Sequence, residues 1–207
     1  IFVWMGVIYY VLRDFGAAAQ AGFGIGTLVL GLIQMPALAV ALAAGPIAGQ
    51  NFGAGDGGRV RETFVKAASI ASAVMIGFTT IAQCWPGLLL AGFSKDRKRM
   101  DVATEFLRFG SLNLEAKGLI FPCHSMFQGL GNTKPVLLSS GTRLLFYAVP
   151  VIWLSTQPGF AIEQVWYLSI ATSTLQACLA LWLLRREFRK RLAPPVRKVS
   201  PAPMPAE

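Results

Sequence analysis

The chain has 207 residues, 54% of them hydrophobic and 14% charged, with a net charge of +9 and a mean hydropathy of +0.54. A soluble domain is more polar than this, so composition places the chain in the membrane class. The positive charge does not mark a nucleic-acid surface, because the basic residues gather between and after the apolar runs, seven of the 19 in the last 23 residues.

A bilayer-spanning helix needs about 20 mainly apolar residues. Uncharged runs cover residues 15–55, 67–94, 118–133, 144–162 and 164–184, which gives five spans with a partial one in front. Residues 1–12 are about half a span, start inside an apolar run without an initiator Met, and read as a cut first helix. The second helix is expected over about 16–49, with a bend at Pro36, and the third over about 60–90. A charged connection, 94–101, leads to a fourth helix over about 102–129. After a turn at 129–133 the fifth covers 134–155, and Gln157-Pro158-Gly159 breaks the chain before a sixth, 162 to about 191. The cationic last turns of that helix suit its macrodipole. The expected fold is all-α: a polytopic, six-helix transmembrane bundle over residues 1–191, its first helix truncated, with a disordered, basic, Pro-rich cytoplasmic tail over 192–207.

Successive spans alternate in direction, so the 51–61 loop, the Gly131 turn and the tail must share one side. With Arg108, Lys117 and Arg143 set aside as embedded, that side holds 11 Lys and Arg and the other holds 5, which makes it cytoplasmic by the positive-inside rule. Lys95, Arg97, Lys98 and Arg99 run against this bias.

The long second helix ends in Gly49-Gln50-Asn51-Phe52-Gly53-Ala54-Gly55, and the fourth ends in Gln128-Gly129-Leu130-Gly131-Asn132-Thr133-Lys134-Pro135. At this spacing the pair resembles the signatures of the MATE (multidrug and toxic compound extrusion) transporters, and the resemblance continues through Arg143 and Pro150 over nearly all of residues 1–184. It implies one half of a twelve-helix transporter, the C-terminal bundle, with a six-helix N-terminal lobe as partner. It also implies a multi-pass protein of the plasma membrane, the inner membrane of a bacterium. The implied activity is secondary active efflux of organic, often cationic compounds in exchange for Na+ or H+, by rocking of the two lobes about a central cavity. Catalysis is not expected: the chain has no nucleophile–base pair, no metal-ligand spacing, and no Gly-Lys-Ser/Thr ending to the Gly-rich loop that would hold a nucleotide phosphate. No cofactor beyond the coupling ion is implied. The alternatives are a flippase of the wider superfamily, exporting a lipid-linked or polysaccharide substrate, and a non-transporting membrane scaffold or intramembrane enzyme. Flippases tend to line the cavity with several Arg and Lys, whereas here only Lys117 and Arg143 are embedded.

Ion coupling needs an intramembrane group whose charge can change. Asn113, Glu115 and Lys117 lie near the middle of the fourth helix, and a carboxyl held in low dielectric resists ionisation, which would let Glu115 exchange a proton. The resemblance places an acid in this region; Lys117 stands closest to that place. Glu115 and Lys117, two residues apart, point to different faces. Pro122 should free the Gly118 carbonyl and bend this helix. Gln34, Phe109, Phe121 and Gln176 are the candidates for a substrate cavity, and Gln34, Thr172, Ser173 and Gln176 offer interhelical hydrogen bonds. Trp153, Trp166 and Tyr167 read as an interfacial belt. His124 reads as packed against a neighbour, Arg143 as structurally paired near the cytoplasmic gate. Cys84, Cys123 and Cys178 read as isolated thiols, with no metal and no disulfide.

Overall fold

A computed structural model of the chain describes residues 5, 6, 8–10, 16–93, 97–157 and 162–192. Every regular element among them is helical: α1 Ala17–Gly53, α2 Gly57–Cys84, α3 Pro86–Leu90, α4 Arg97–Gly129, α5 Lys134–Ser155 and α6 Ile162–Arg191, preceded by helical residues within 5–10. Most of the expected first helix, residues 94–96 of the charged connection, the break at Pro158-Gly159 and the tail beyond Leu192 lie outside the described residues. The expected bounds of α5 and α6 match; α1 runs four residues further than expected, to Gly53, and α4 begins five earlier, at Arg97.

The third expected helix is not continuous. It stops at Cys84, and Trp85 (φ −135°, ψ 59°) leaves the helical region before Pro86 starts the short α3. The proline ring clashes with a helical conformation in the residue before it, so this Trp-Pro step is a helix boundary that the uncharged run conceals.

Both signatures end their helices in the same way. At the end of α1, Gly55 N–H donates to the Phe52 carbonyl (3.0 Å) and Asp56 N–H to that of Asn51 (2.9 Å). At the end of α4, Gly131 N–H donates to the Gln128 carbonyl (3.0 Å) and Asn132 N–H to that of Phe127 (2.9 Å). These paired bonds are Schellman caps, which need a left-handed residue; Gly55 has φ 77° and Gly131 φ 69°. Nothing surrounds the Cβ position of either glycine, so a substitution costs backbone conformation alone. Gly55→Ala and Gly131→Ala are each expected to lose roughly 1 kcal/mol, read as a lowered midpoint of thermal unfolding in detergent. Asp56 closes one cap and opens the next helix, its Oδ1 accepting from Arg59 N–H at 2.9 Å.

The helix with the least apolar composition is the centre of the bundle. α4 carries Asp101, Glu105, Arg108, Glu115 and Lys117 and is not among the four helices that are long and apolar enough to cross a membrane unaided, namely α1, α2, α5 and α6. It packs against α1, α2 and α6, which bury Ser111, Asn113 and Ser125, while Asp101, Glu105, Arg108 and Glu115 stay exposed. α2 runs antiparallel to it, with Thr79 Oγ1 donating to the Ser111 carbonyl (3.0 Å) and Gln83 Nε2 to the Arg108 carbonyl (2.7 Å) and Ser111 Oγ (2.9 Å). Gly118 lets α4 approach the backbone of Ser72, which a Cβ would meet at 2.9 Å. α5 packs chiefly on α6.

α1 and α4 run parallel, in register along most of their lengths. The Phe106 ring fills the place of a side chain at Gly26, Leu30 fills that place at Gly110, and Gly49 lies against Gly129, a constant offset of 80 positions. Between these points Ser125 Oγ donates to the Ala41 carbonyl. In a membrane, where lipid is as apolar as leucine, such close approach supplies the packing energy.

The shared side expected of the two signatures and the end of α6 is seen in their contacts. Glu187 Oε1 accepts from Asn132 Nδ2 (2.9 Å) and pairs with Arg191 Nε (2.7 Å), while Arg191 Nη1 donates to the Leu130 carbonyl (2.8 Å). Leu192 lies over Gly57, with its Cβ 3.1 Å from where a side chain there would begin.

Candidate functional site

Two apolar clusters fill the bundle. One holds Phe23, Leu30, Met75, Phe106, Leu114, Tyr147 and Trp166; the other, nearer the signature turns, holds Ala48, Val60, Met126, Phe127 and Leu184. Polar side chains from α1, α4, α5 and α6 collect about the level where the first gives way to the second. Lys117 Nζ donates to Gln34 Oε1 at 2.7 Å, and Gln34 Nε2 donates to the Leu30 carbonyl at 2.7 Å. That second bond fixes the amide so that its oxygen faces the ammonium. Both residues lie well inside their helices, Gln34 in α1 and Lys117 in α4.

Across from this pair, Arg143 Nη1 reaches Gln176 Oε1 and Gln176 Nε2 reaches Ser140 Oγ, each at 3.4 Å, beyond ordinary hydrogen-bond length. Lys117, Asn113 and Arg143 line one cleft together with Leu30, Phe106, Phe109, Gly110, Trp166 and Ser169, with a volume of about 40 Å³. That is room for about three waters. Asn113 is 9% exposed, and its Oδ1 and the Nε of Arg143 are buried without a hydrogen-bond partner among the described residues.

The other candidates lie elsewhere. Glu115 is exposed on the side of α4 turned away from Lys117, and Phe121 is half-buried against the first apolar cluster. Trp166 does not belong to an interfacial belt: it is 6% exposed, its ring 4.9 Å from that of Phe106 and 6.2 Å from that of Phe23. Trp153 and Tyr167 are exposed; Tyr167 also meets Phe109 edge-on at 5.6 Å. The period of α6 turns Trp166 inward and its neighbour outward. Thr172 bonds within its own helix, to Leu168 and Ser169, and not across an interface. His124 Nε2 meets Ser139 Oγ at 3.2 Å, joining α4 to α5. The cysteines are free, and no group able to hold a metal is found among the described residues.

Sequence reasoning missed Ser140 and Ser169. The available signal was a small hydroxyl within an apolar run, which in a membrane helix marks an internal face. A larger hollow, about 450 Å³, lies on the other side of α4 between Gln83 and the stretch 101–112. Its charged residues, Asp101, Glu105 and Arg108, are exposed.

The MatE family model matches residues 1–154, from the first residue through nearly all of α5, including both signature turns and the parallel α1–α4 pair that brings them together. The chain belongs to the MatE family. It is thus a transporter of the MATE superfamily and a membrane protein, and MatE proteins are transporters rather than enzymes. No curated protein matches the chain. α6 lies beyond the MatE match, yet it supplies Trp166, Ser169 and Gln176 to the cleft region and Glu187 and Arg191 to the contacts at the signature end.

Proposed function

We propose that this MatE chain is the C-terminal lobe of a secondary active exporter in the plasma membrane, working with an N-terminal six-helix lobe to move small organic compounds outward in exchange for Na+ or H+. The observation that carries this reading is the cleft inside the bundle, where Lys117, Asn113 and Arg143 from two helices meet beside Gln34. Embedded ionisable groups are costly and persist where transport uses them. The signature turns and the end of α6 face the cytoplasm in this reading, as the excess of Lys and Arg there requires.

The test is efflux from cells expressing the full-length transporter under imposed Na+ and H+ gradients, with cationic ethidium and anionic carboxyfluorescein as reporters. Gradient-dependent efflux of either dye is the expected result, and efflux of neither removes the exporter reading. Glu115→Gln tests the coupling group: an unchanged pH profile removes Glu115 from that role, and a flattened one places coupling on the exposed face of α4.

A further inference from the structure

From the cleft's unbalanced charge we infer that its ligand is an organic anion, bound by a carboxylate or phosphate head between Lys117 and Arg143. This sharpens the exporter reading and rests on it for its physiological sense. Both cations line the same cleft, and no carboxylate does. None of the ion pairs among the described residues involves either one. Their side-chain partners are neutral amides: Gln34, bonded to Lys117 at 2.7 Å, and Gln176, facing Arg143 at 3.4 Å. Lys117 therefore uses one of its three donors, and the buried Nε–H of Arg143 uses none.

Two like charges sharing a low-dielectric site repel each other and each carries a desolvation cost. An oxyanion between them relieves both effects and takes up the idle donors in charge-assisted bonds. Asn113 adds a further contact, since its Oδ1 is buried without a partner among the described residues and the amide can present its NH2 in that place by turning over. An organic cation placed here would face two like charges and no acid. With about 40 Å³ the cleft takes the head alone, so the body of the ligand lies outside it.

The experiment measures saturable binding of radiolabelled benzoate, phenyl phosphate, benzamide and benzylammonium to the full-length transporter in phosphatidylcholine nanodiscs. These probes share a ring and differ in head charge. At least one anion should bind at least about tenfold more tightly than benzylammonium, with benzamide between. Lys117→Gln should weaken anion binding by about tenfold or more, and Lys117→Arg should retain most of it. If Lys117→Gln does not fold, the ranking of the four probes on the unmodified protein decides. Loss of anion binding when phosphatidylglycerol is added assigns the same oxyanion site to a lipid headgroup, and retention assigns it to a soluble anion. Absence of binding by both anions, equal or tighter binding of benzylammonium, or an unchanged anion affinity in folded Lys117→Gln overturns the inference. A protein that exports ethidium but fails this ranking keeps the exporter reading and loses this one. A protein that passes the ranking but moves neither dye does the reverse.

Discussion

Gly129→Ala is expected to destabilise the bundle by about 2–3 kcal/mol and to abolish transport by the full-length protein. A Cβ at Gly129 would collide with the carbonyl oxygen of Gly45 and stand 3.3 Å from the Gly49 nitrogen. These are backbone atoms of the neighbouring helix, with no flexible end to swing aside, so α1 and α4 must separate locally. An ordinary Gly-to-Ala change inside a helix gains up to about 1 kcal/mol from propensity. The collision has to outweigh that gain, which makes the sign of the result informative. Gly53→Ala is the control, because nothing lies within 4 Å of its Cβ position; it should be neutral or slightly stabilising. Gly49→Ala falls between, its Cβ 3.1 Å from the Gly129 carbonyl oxygen. Thermal unfolding of the purified variants reads all three, and a Gly129→Ala protein as stable as its parent would show that the helices do not approach this closely.

Glu187→Ala should cost about 2 kcal/mol and loosen the turn between α4 and α5. The carboxylate, 9% exposed, holds Asn132 of the turn and Arg191 of its own helix, while Arg191 holds Leu130. Removing it frees a donor on each partner at one stroke. The Arg191 side chain is 39% exposed, so solvent screening trims the ionic share, and the hydrogen bond to Asn132 carries more of the loss. Glu187→Gln should therefore lose less than Glu187→Ala, since it keeps an acceptor. Hydrogen exchange at Leu130–Asn132 checks the mechanism: faster exchange in Glu187→Ala confined to that turn is the expected pattern. Unchanged protection there would mean that the end of α6 does not brace the turn.

The helices with long uncharged runs were legible because lipid imposes a simple rule of length and polarity. α5 and α6 match for that reason. The Trp85-Pro86 break hid inside such a run, since hydropathy does not register a backbone clash. The two glycine signatures were legible as turns, but their glycines divide into kinds that composition cannot separate: Gly55 and Gly131 serve backbone conformation, Gly49 and Gly129 serve contact, and Gly53 has neither duty. Lys117 and Asn113 in the cleft, and Gln34 beside it, were recognisable as polar groups in a membrane segment. Their meeting was not, because it depends on the register of α1 against α4. Helical spacing does separate Glu115 from Lys117, and the structure places them on different sides of α4. Trp166 was misassigned because a tryptophan near a helix end suits an interface and an aromatic core equally well, and only the packing of Phe23 and Phe106 decides.

The parallel α1–α4 pair also bears on how the protein is made. Parallel neighbours cannot form a hairpin as they emerge; a full return crossing, α2, must be laid down between them. At about 5–20 residues per second, the 80 positions between Gly49 and Gly129 separate their synthesis by roughly 4–16 s. Through that interval the glycine-lined face of α1 is in the bilayer without the helix it is shaped to fit. A stall or truncation of translation before Gly129 would leave that face unpaired, and open to membrane proteolysis until α4 arrives.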